Sequence, residues 1–217
     1  MAAAFLGAMT VFMLAATVLA ARMADGLPVG LFMLVITALM AALTAHVWRD
    51  MRGKLGGSIL LDGASLTLRL PGGRSLIHNP PPCRETLLFA DLEAVETRLE
   101  FYGAQAMGMM QRAWRLKRRN GPPVFLFEER ALGTNLAEHS MEAVSAEIAD
   151  RAGVPLNDLG MAEGRGGVLG AWFASAPDWS AAPLTTVREA RLWRRVWLTG
   201  ALAGLAFAII WLLAAVL

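Results

Sequence analysis

The sequence predicts an α-helical membrane protein with three transmembrane helices and one polar α+β domain between the second and the third. Hydrophobic residues make up 56% of the 217 residues, more than a globular domain of ordinary composition contains. The stretches 1–21, 27–48 and 196–217 contain no charged side chain. As helices they are each about 30 Å long, which matches the hydrocarbon core of a bilayer. We therefore predict spans at about 2–21, 27–47 and 196–217.

Basic residues near the ends of these stretches predict their orientation. The basic residues that flank the polar segment are Arg49, Arg52 and Lys54 before it, and Arg191, Arg194 and Arg195 after it. Because Lys and Arg accumulate on the cytoplasmic side, we predict a multi-pass protein of the bacterial inner membrane. Residues 49–195 would then be cytoplasmic and the C-terminus would lie on the far side. The same six side chains are candidate contacts to anionic lipid headgroups, and the alternative is that they only determine the topology.

Alternating apolar residues predict antiparallel strands between residues 57 and 128. Leu66, Leu68 and Leu70 alternate with polar residues, and Asp62-Gly63 before them is a hairpin signal. A longer alternation places Val95, Thr97, Leu99 and Phe101 on one face and Glu96, Arg98, Glu100 and Tyr102 on the other. The next strand contains Trp114 and Leu116, and Asn120-Gly121 turns the chain into 124–128. About six strands are expected.

One amphipathic helix is predicted to follow the strands. Met141, Val144 and Ile148 recur at helical spacing, and Asn135 with Glu138 has the spacing of a capping box. Gly153 is expected to end the helix in a left-handed conformation, and Pro155 prevents its continuation.

This order of elements resembles the bacterial pleckstrin-homology-like (PH-like) domain family. The resemblance rests on residues 60–66, residues 92–96, and residues 114–126 around Asn120-Gly121, and it covers residues 57–152. It implies a small, bent antiparallel β-barrel that a C-terminal helix plugs at one end. Many bacterial members are fused to transmembrane hairpins, and this chain is similar to that arrangement with one further span. The resemblance does not assign binding residues, because its motifs are patterns of apolar positions.

The predicted domains are a transmembrane hairpin (1–48), a basic linker (49–56), the PH-like domain (57–152), a connector (153–185) and a helix that runs into the third span (186–217). Several glycines disfavour regular structure in the connector. It also contains Trp172, Phe173 and Trp179, which a solvated linker would leave uncovered. These aromatics are predicted to bind a partner, and the alternative is that they pack on this protein's own domain.

Two further sets of residues are predicted contacts. Gly200 and Gly204 have the spacing at which helices approach closely, either with a partner or with the hairpin of the same chain. Arg115, Lys117 and Arg119 occupy alternate positions of a strand, so they would point to one side and bind phosphate or acidic groups. A solvated basic face is the alternative for these three.

The sequence contains no catalytic, metal-binding or cofactor-binding motif that we would assign. The segment 164–170 lacks the third glycine of a dinucleotide fingerprint, and no Gly-Lys-Ser/Thr motif is present. His46, His78 and His139 lack zinc spacing, and Cys83 is the only cysteine. The net charge of +2 disfavours binding to nucleic acid. We therefore expect no cofactor and no small-molecule substrate.

Together these features predict a non-enzymatic integral membrane protein. Its PH-like domain would be a docking or assembly module, and the protein an accessory subunit of a larger membrane complex. Other membrane protein subunits and membrane lipids are the expected partners. The alternatives are a membrane regulator that senses anionic lipid and a membrane enzyme.

Overall fold

The computed structural model of the protein describes residues 2–22, 27–75, 78–104, 107–130, 140–164 and 176–216. The chain divides into two compact units, Met1–Gly56 and Gly57–Leu217. Within the described residues, the first unit consists of two helices, and the second contains the strands and two further helices.

The first unit is a pair of packed helices, α1 (Ala2–Ala21) and α2 (Leu27–Leu55). Polar side chains meet between them: the hydroxyl oxygens of Thr17 and Thr37 are 3.1 Å apart, as are those of Thr10 and Thr44. Large apolar side chains are exposed instead, among them Val11, Phe12, Leu19, Leu31 and Val35. The pair therefore carries hydroxyl groups at its interface and apolar groups on its outer surface.

Among the residues that the structure describes, no helix combines the length and the apolar character that crossing a bilayer requires. On this finding, the predicted three-helix membrane class and the multi-pass inner-membrane location are wrong. Helix α1 has the bounds of the first predicted span, and the last helix begins at Thr186, as predicted for the helix that leads into the third. Helix α2 differs, because it continues beyond residue 47 through Arg49 and Arg52 to Leu55. The last helix contains five charged residues before Val196. The observed class is an α+β fold with two sheets.

Seven strands and two α-helices make up the second unit in the described part of the chain. In chain order these are β1 (Ser58–Leu61), β2 (Ser65–Leu70), β3 (Cys83–Leu88), β4 (Leu92–Ala104), β5 (Met107–Arg118), β6 (Val124–Arg130), α3 (Met141–Ala152), β7 (Leu156–Glu163) and α4 (Thr186–Val216). One sheet has the order β1-β2-β3 and the other β6-β5-β4-β7. Neighbours pair antiparallel, except that β7 runs parallel to β4. The strands therefore form two sheets rather than the single bent barrel that was predicted.

The first core of this unit lies where strands of both sheets meet α3. Leu66, Leu68 and Leu70 of β2 are buried, which confirms their predicted alternation. They belong to one cluster with Trp114 of β5 and Ile148 of α3. The hairpin predicted at Asp62-Gly63 is also present, because the amide of Asp62 donates to the carbonyl of Ser65 at 2.8 Å.

A second core lies between the four-stranded sheet and α4. Leu192 and Val196 of α4 pack on a cluster that contains Leu99, Phe101 and Met161. The N-terminal part of α4 therefore belongs to the folded unit, because its side chains cover apolar residues of β4 and β7.

Helix α3 begins later than the predicted capping box. The side chain of Ser140 caps it by accepting from the amide of Ala143 at 3.3 Å, whereas Asn135 and Glu138 lie outside the described residues. The predicted end is confirmed, since Gly153 has φ 61° in the left-handed region.

Strand β7 corrects the prediction that residues 153–185 lack regular structure. Its register against β4 shifts between Thr97 and Leu99, where the extra residue belongs to β7. Gly160 lies at this β-bulge with φ 70°, a conformation that glycine adopts without strain. The glycine that argued against a strand is thus the residue that allows the bulge.

Candidate functional site

The polar side of β4 is buried. Glu96, Arg98, Glu100 and Tyr102 all point to this side, and Glu100 is only 1% exposed. The strand register adds two residues from neighbouring strands. Gln111 of β5 lies opposite Glu100. Glu128 of β6 lies opposite the small Ala113 of β5, which in turn lies opposite Arg98 of β4. We call these six residues (Glu96, Arg98, Glu100, Tyr102, Gln111 and Glu128) the polar face.

Arg98 holds the polar face to the segment that follows β7. Its guanidinium donates to the carbonyls of Leu159 at 3.4 Å, Ala181 at 2.5 Å and Asp178. Leu159 belongs to the β7 bulge, so the bulge presents a carbonyl that this side chain reaches. A buried cation thus satisfies three backbone acceptors that come from two separate segments.

Glu100 and Tyr102 form a buried hydrogen-bonded pair in which the phenol donates to Glu100 Oε2. Burial raises the pKa of Glu100, the phenol opposes this shift, and the nearby Glu128 adds to it. Burial and the adjacent carboxylate also raise the pKa of Tyr102, so the phenol keeps its proton. Within the described residues, neither amide atom of Gln111 has a hydrogen-bond partner.

The loop between β2 and β3 crosses this region, and we call residues 71–75 and 78–82 the strap. Ser75 Oγ donates to Glu128 Oε2 at 2.5 Å, and His78 Nδ1 lies 2.8 Å from Ser75 Oγ and 3.3 Å from Glu128 Oε1. In a Ser-His-acid triad the serine and the acid contact opposite nitrogens of the ring. Here both contact Nδ1, and Ser75 is fully buried, so the cluster fastens the strap and does not activate a nucleophile.

Arg74 also fastens the strap. Its guanidinium donates to the carbonyls of Pro71, Pro81, Phe125 and Leu126 at 2.6–2.9 Å. The register of β5 and β6 shifts between Ala113 and Arg115, where β6 has an extra residue, and this bulge exposes two consecutive carbonyls to one side chain. Burial lowers the pKa of Arg74 to about 10. Among the described residues, no carboxylate forms a salt bridge with it.

An open groove of about 470 Å³ lies beside the strap, between the start of β3 and the hairpin that joins β5 to β6. Its apolar walls are Pro81, Pro82, Pro122, Pro123, Val124 and Phe125. Its polar lining consists of Arg74, Cys83, Arg84, Glu85 and Arg118. Volumes of this size are typical of small-molecule sites.

The polar groups of the groove are unequally paired. Arg118 Nη1 lies 3.3 Å from Glu85 Oε2, while its Nε is buried without a hydrogen-bond partner in the described part of the chain. The guanidinium of Arg118 lies beside Gly121, which has a φ of 103°, and a Cβ at this glycine would lie 3.8 Å from Arg118 Nε. The Cys83 thiol donates to Glu85 at 3.3 Å, and burial followed by that contact raises its pKa to about 11.

The predicted basic strand is largely neutralised by its neighbours. Arg115 Nη2 lies 2.6 Å from Glu96, and its guanidinium stands 4.4 Å above the ring of Trp179. Lys117 Nζ lies 2.5 Å from Glu93, and Arg119, just beyond the end of β5, donates to the carbonyl of Ala90 at 3.1 Å. Phosphate binding by these three residues stays a prediction, and it would have to displace two carboxylates.

The other predicted contact residues belong to several elements. Arg49 and Arg52 are exposed on α2, in the first unit, and Lys54 belongs to the same helix. Arg191 and Arg194 are exposed on α4 and Arg195 is half-buried there. Gly200 and Gly204 lie on α4 with open space around their Cβ positions. Trp172 and Phe173 lie outside the described residues, whereas Trp179 is half-buried against Arg115.

Sequence reasoning missed the strap, the groove and the burial of the polar face. One signal was present: the segment from Pro71 to Cys83 is longer than a tight hairpin needs, and a long loop often covers a surface. Groups of three or more potential metal ligands are absent from the described residues. No protein-family model, no curated protein and no solved structure matches the chain.

Proposed function

We propose that this protein is a non-enzymatic docking module that assembles with another protein chain through the outer surface of α1 and α2. The observation that carries the proposal is the exposure of large apolar side chains there: Val11 is 69% exposed and Phe12 is 68% exposed. Contiguous apolar surfaces of this kind mark interaction sites, because water covers them at a free-energy cost.

The interior of the helix pair supports the same proposal. The Thr17 and Thr37 hydroxyls lie at the interface of the two helices, where an isolated pair would ordinarily place apolar residues. The apolar residues are on the outside, where a partner can cover them. The geometry of Ser75, His78 and Glu128 supports a non-enzymatic reading, since the serine proton is directed at the carboxylate.

The resemblance to PH-like domains is part of this proposal. Its support is the succession of six antiparallel strands, β1 to β6, followed by α3. In this reading the second unit is a folded domain to which the groove and the strap belong.

The test replaces Phe12 and Val35 together with Ser in the full chain and measures association by cross-linking and native mass spectrometry. We expect a protein partner in fixed stoichiometry with the unaltered chain, and its loss from the variant. The control is Leu60→Ser, which removes an apolar side chain that is also exposed but belongs to β1 of the second unit.

The circular dichroism of both variants should match that of the unaltered chain, which shows that any loss of partner is local. Retention of the partner by the Phe12 and Val35 variant would contradict the proposal, as would equal loss from Leu60→Ser. A partner that remains bound through the second unit alone would also contradict it.

A further inference from the structure

We propose that the groove beside the strap binds a small organic anion, in which a carboxylate or a phosphate is attached to an apolar or aromatic body. This site does not include the apolar helices of the docking proposal, and the two proposals are tested independently. The inference rests on the charge balance of the groove, on unused donors in its lining and on the nature of its walls.

The groove has an excess of positive charge. Arg74, Arg84 and Arg118 line it, and Glu85 is the one acid among its lining residues in the described part of the chain. A further arginine lies nearby, because the β2–β3 register places Arg69 directly opposite Arg84. Like charges at directly opposed positions are unfavourable in a sheet, and an anion beside them would relieve the repulsion.

Donors remain for such an anion. A guanidinium carries five N–H groups, and Arg74 donates four hydrogen bonds to carbonyls, which leaves one N–H on Nη2. Arg118 lines the groove with a side chain that is 20% exposed, and its buried Nε has no hydrogen-bond partner in the described part of the chain. Arg74 is 2% exposed, and among the described residues its guanidinium donates to carbonyls and to no carboxylate, so a nearby anion would compensate a buried cation.

The walls indicate what should be attached to the anionic group. Pro81, Pro82, Pro122 and Pro123 have no backbone N–H to donate, and Phe125 adds an aromatic ring. Such walls offer van der Waals contact and no further hydrogen-bond donors. An extended peptide that pairs with backbone amides is therefore a poor fit, whereas a compact body with an apolar surface fits well.

Cys83 provides a direct measurement of occupancy, because it lines the groove, is half-buried and is the only cysteine of the chain. The full chain is alkylated with iodoacetamide, and the rate is followed by intact mass in the presence of benzoate, phenyl phosphate, inorganic phosphate or neutral benzamide. Potassium chloride keeps the ionic strength equal. We expect benzoate or phenyl phosphate to slow alkylation in a saturable way, and benzamide to leave it unchanged.

Two substitutions of opposite sign test the assignment of residues. Arg118→Gln removes a charge-assisted donor and should raise the half-protecting concentration by about tenfold or more. Glu85→Gln removes the negative charge of the groove lining and should lower the half-protecting concentration. The matched control is Arg151→Gln on α3, an exposed arginine whose side chain pairs with Glu147 outside the groove.

The inference is overturned if neither organic anion protects Cys83, or if benzamide protects equally well. Protection by inorganic phosphate as strong as that by phenyl phosphate would overturn the role of the apolar walls. Should Arg118→Gln fail to fold, Glu85→Gln still decides, because an unchanged half-protecting concentration in that variant contradicts the charge argument.

Discussion

At the scale of single residues, the most informative observation is that β4 buries charged side chains on a face that alternation alone would give to solvent. Glu100 is the clearest case, because its neighbours include the phenol of Tyr102, the amide of Gln111 and a second carboxylate, Glu128. Removing a carboxylate from water disfavours its charged form. Folding therefore becomes coupled to the protonation of this residue.

We predict that Glu100→Gln stabilises the protein at neutral pH and has little effect in acid. The folded-state pKa of Glu100 is raised above its ordinary value of 4.5, so the folded protein binds the proton more tightly than the unfolded chain. The stability contributed by that proton is complete below pH about 4.5 and is lost as the pH rises through the raised pKa. Urea unfolding between pH 4 and pH 8, roughly the range over which carboxyl groups of this kind titrate, measures the difference.

The control is Glu142→Gln, since Glu142 is exposed on α3. Its unfolding free energy should run parallel to that of the unaltered protein at every pH. If the unfolding free energy of Glu100→Gln also runs parallel to that of the unaltered protein, ionisation of Glu100 does not destabilise the folded state. The polar face is then not buried as we describe it.

At the scale of elements, the features that could be predicted from the sequence are those that depend on residues close together in the chain. The alternation in β2, the turn at Asp62-Gly63 and the end of α3 at Gly153 depend on contacts within a few positions, and each is found. Strand β7 could not be predicted in this way, because Leu156 pairs with Val95, far away in the chain. Its sequence has no alternation of its own, and Gly160 reads as a breaker until its bulge is known.

We predict that Gly160→Ala destabilises the second unit by about 1–2 kcal/mol, because an L-residue is strained at positive φ. The added Cβ would also lie 3.0 Å from Pro183 Cβ. Amide hydrogen exchange should show faster opening of β7 than of β5. The matched control is Gly63→Ala, where no atom lies within 4 Å of the new methyl group. Equal effects of the two substitutions on unfolding would count against the bulge.

The candidate site shows the same limit of sequence reasoning. The sequence shows the basic run Arg115, Lys117 and Arg119. It does not show that Glu96 and Glu93 of β4 pair with the first two, because the register between β4 and β5 cannot be predicted from it. The groove brings together Arg74, Arg84 and Arg118 from the strap, β3 and β5. Nothing in the spacing of these three arginines marks them as neighbours, so only the fold reveals the site.

At the scale of the whole molecule, each unit places its apolar residues differently. The second unit encloses two cores, one around Trp114 and one beneath α4, whereas the first exposes its apolar residues. Helix α4 changes character along its length: Leu192 is 7% exposed, and Leu198 is 57% exposed. Its beginning therefore completes a core, and its later residues leave the sheet.

We predict that Leu192→Ala lowers the unfolding free energy of the second unit by about 2–5 kcal/mol, as expected when a buried leucine is truncated. Leu198→Ala removes the same atoms from an exposed site of the same helix, and its unfolding free energy should differ from that of the unaltered protein by no more than about 0.5 kcal/mol. Urea denaturation followed by tryptophan fluorescence measures both. Similar losses in the two variants would mean that α4 does not close the second core where we place it.

Strand β6 lies at one edge of its sheet, and Arg74 donates to two of its carbonyls, those of Phe125 and Leu126. Unpaired carbonyls on an outer strand are a template for β-pairing between molecules, which is how ordered aggregation begins. The guanidinium of Arg74, a residue that is only 2% exposed, satisfies the carbonyls of Phe125 and Leu126, so a second molecule finds these two acceptors already occupied. The strap thus makes these two carbonyls unavailable for pairing with another strand.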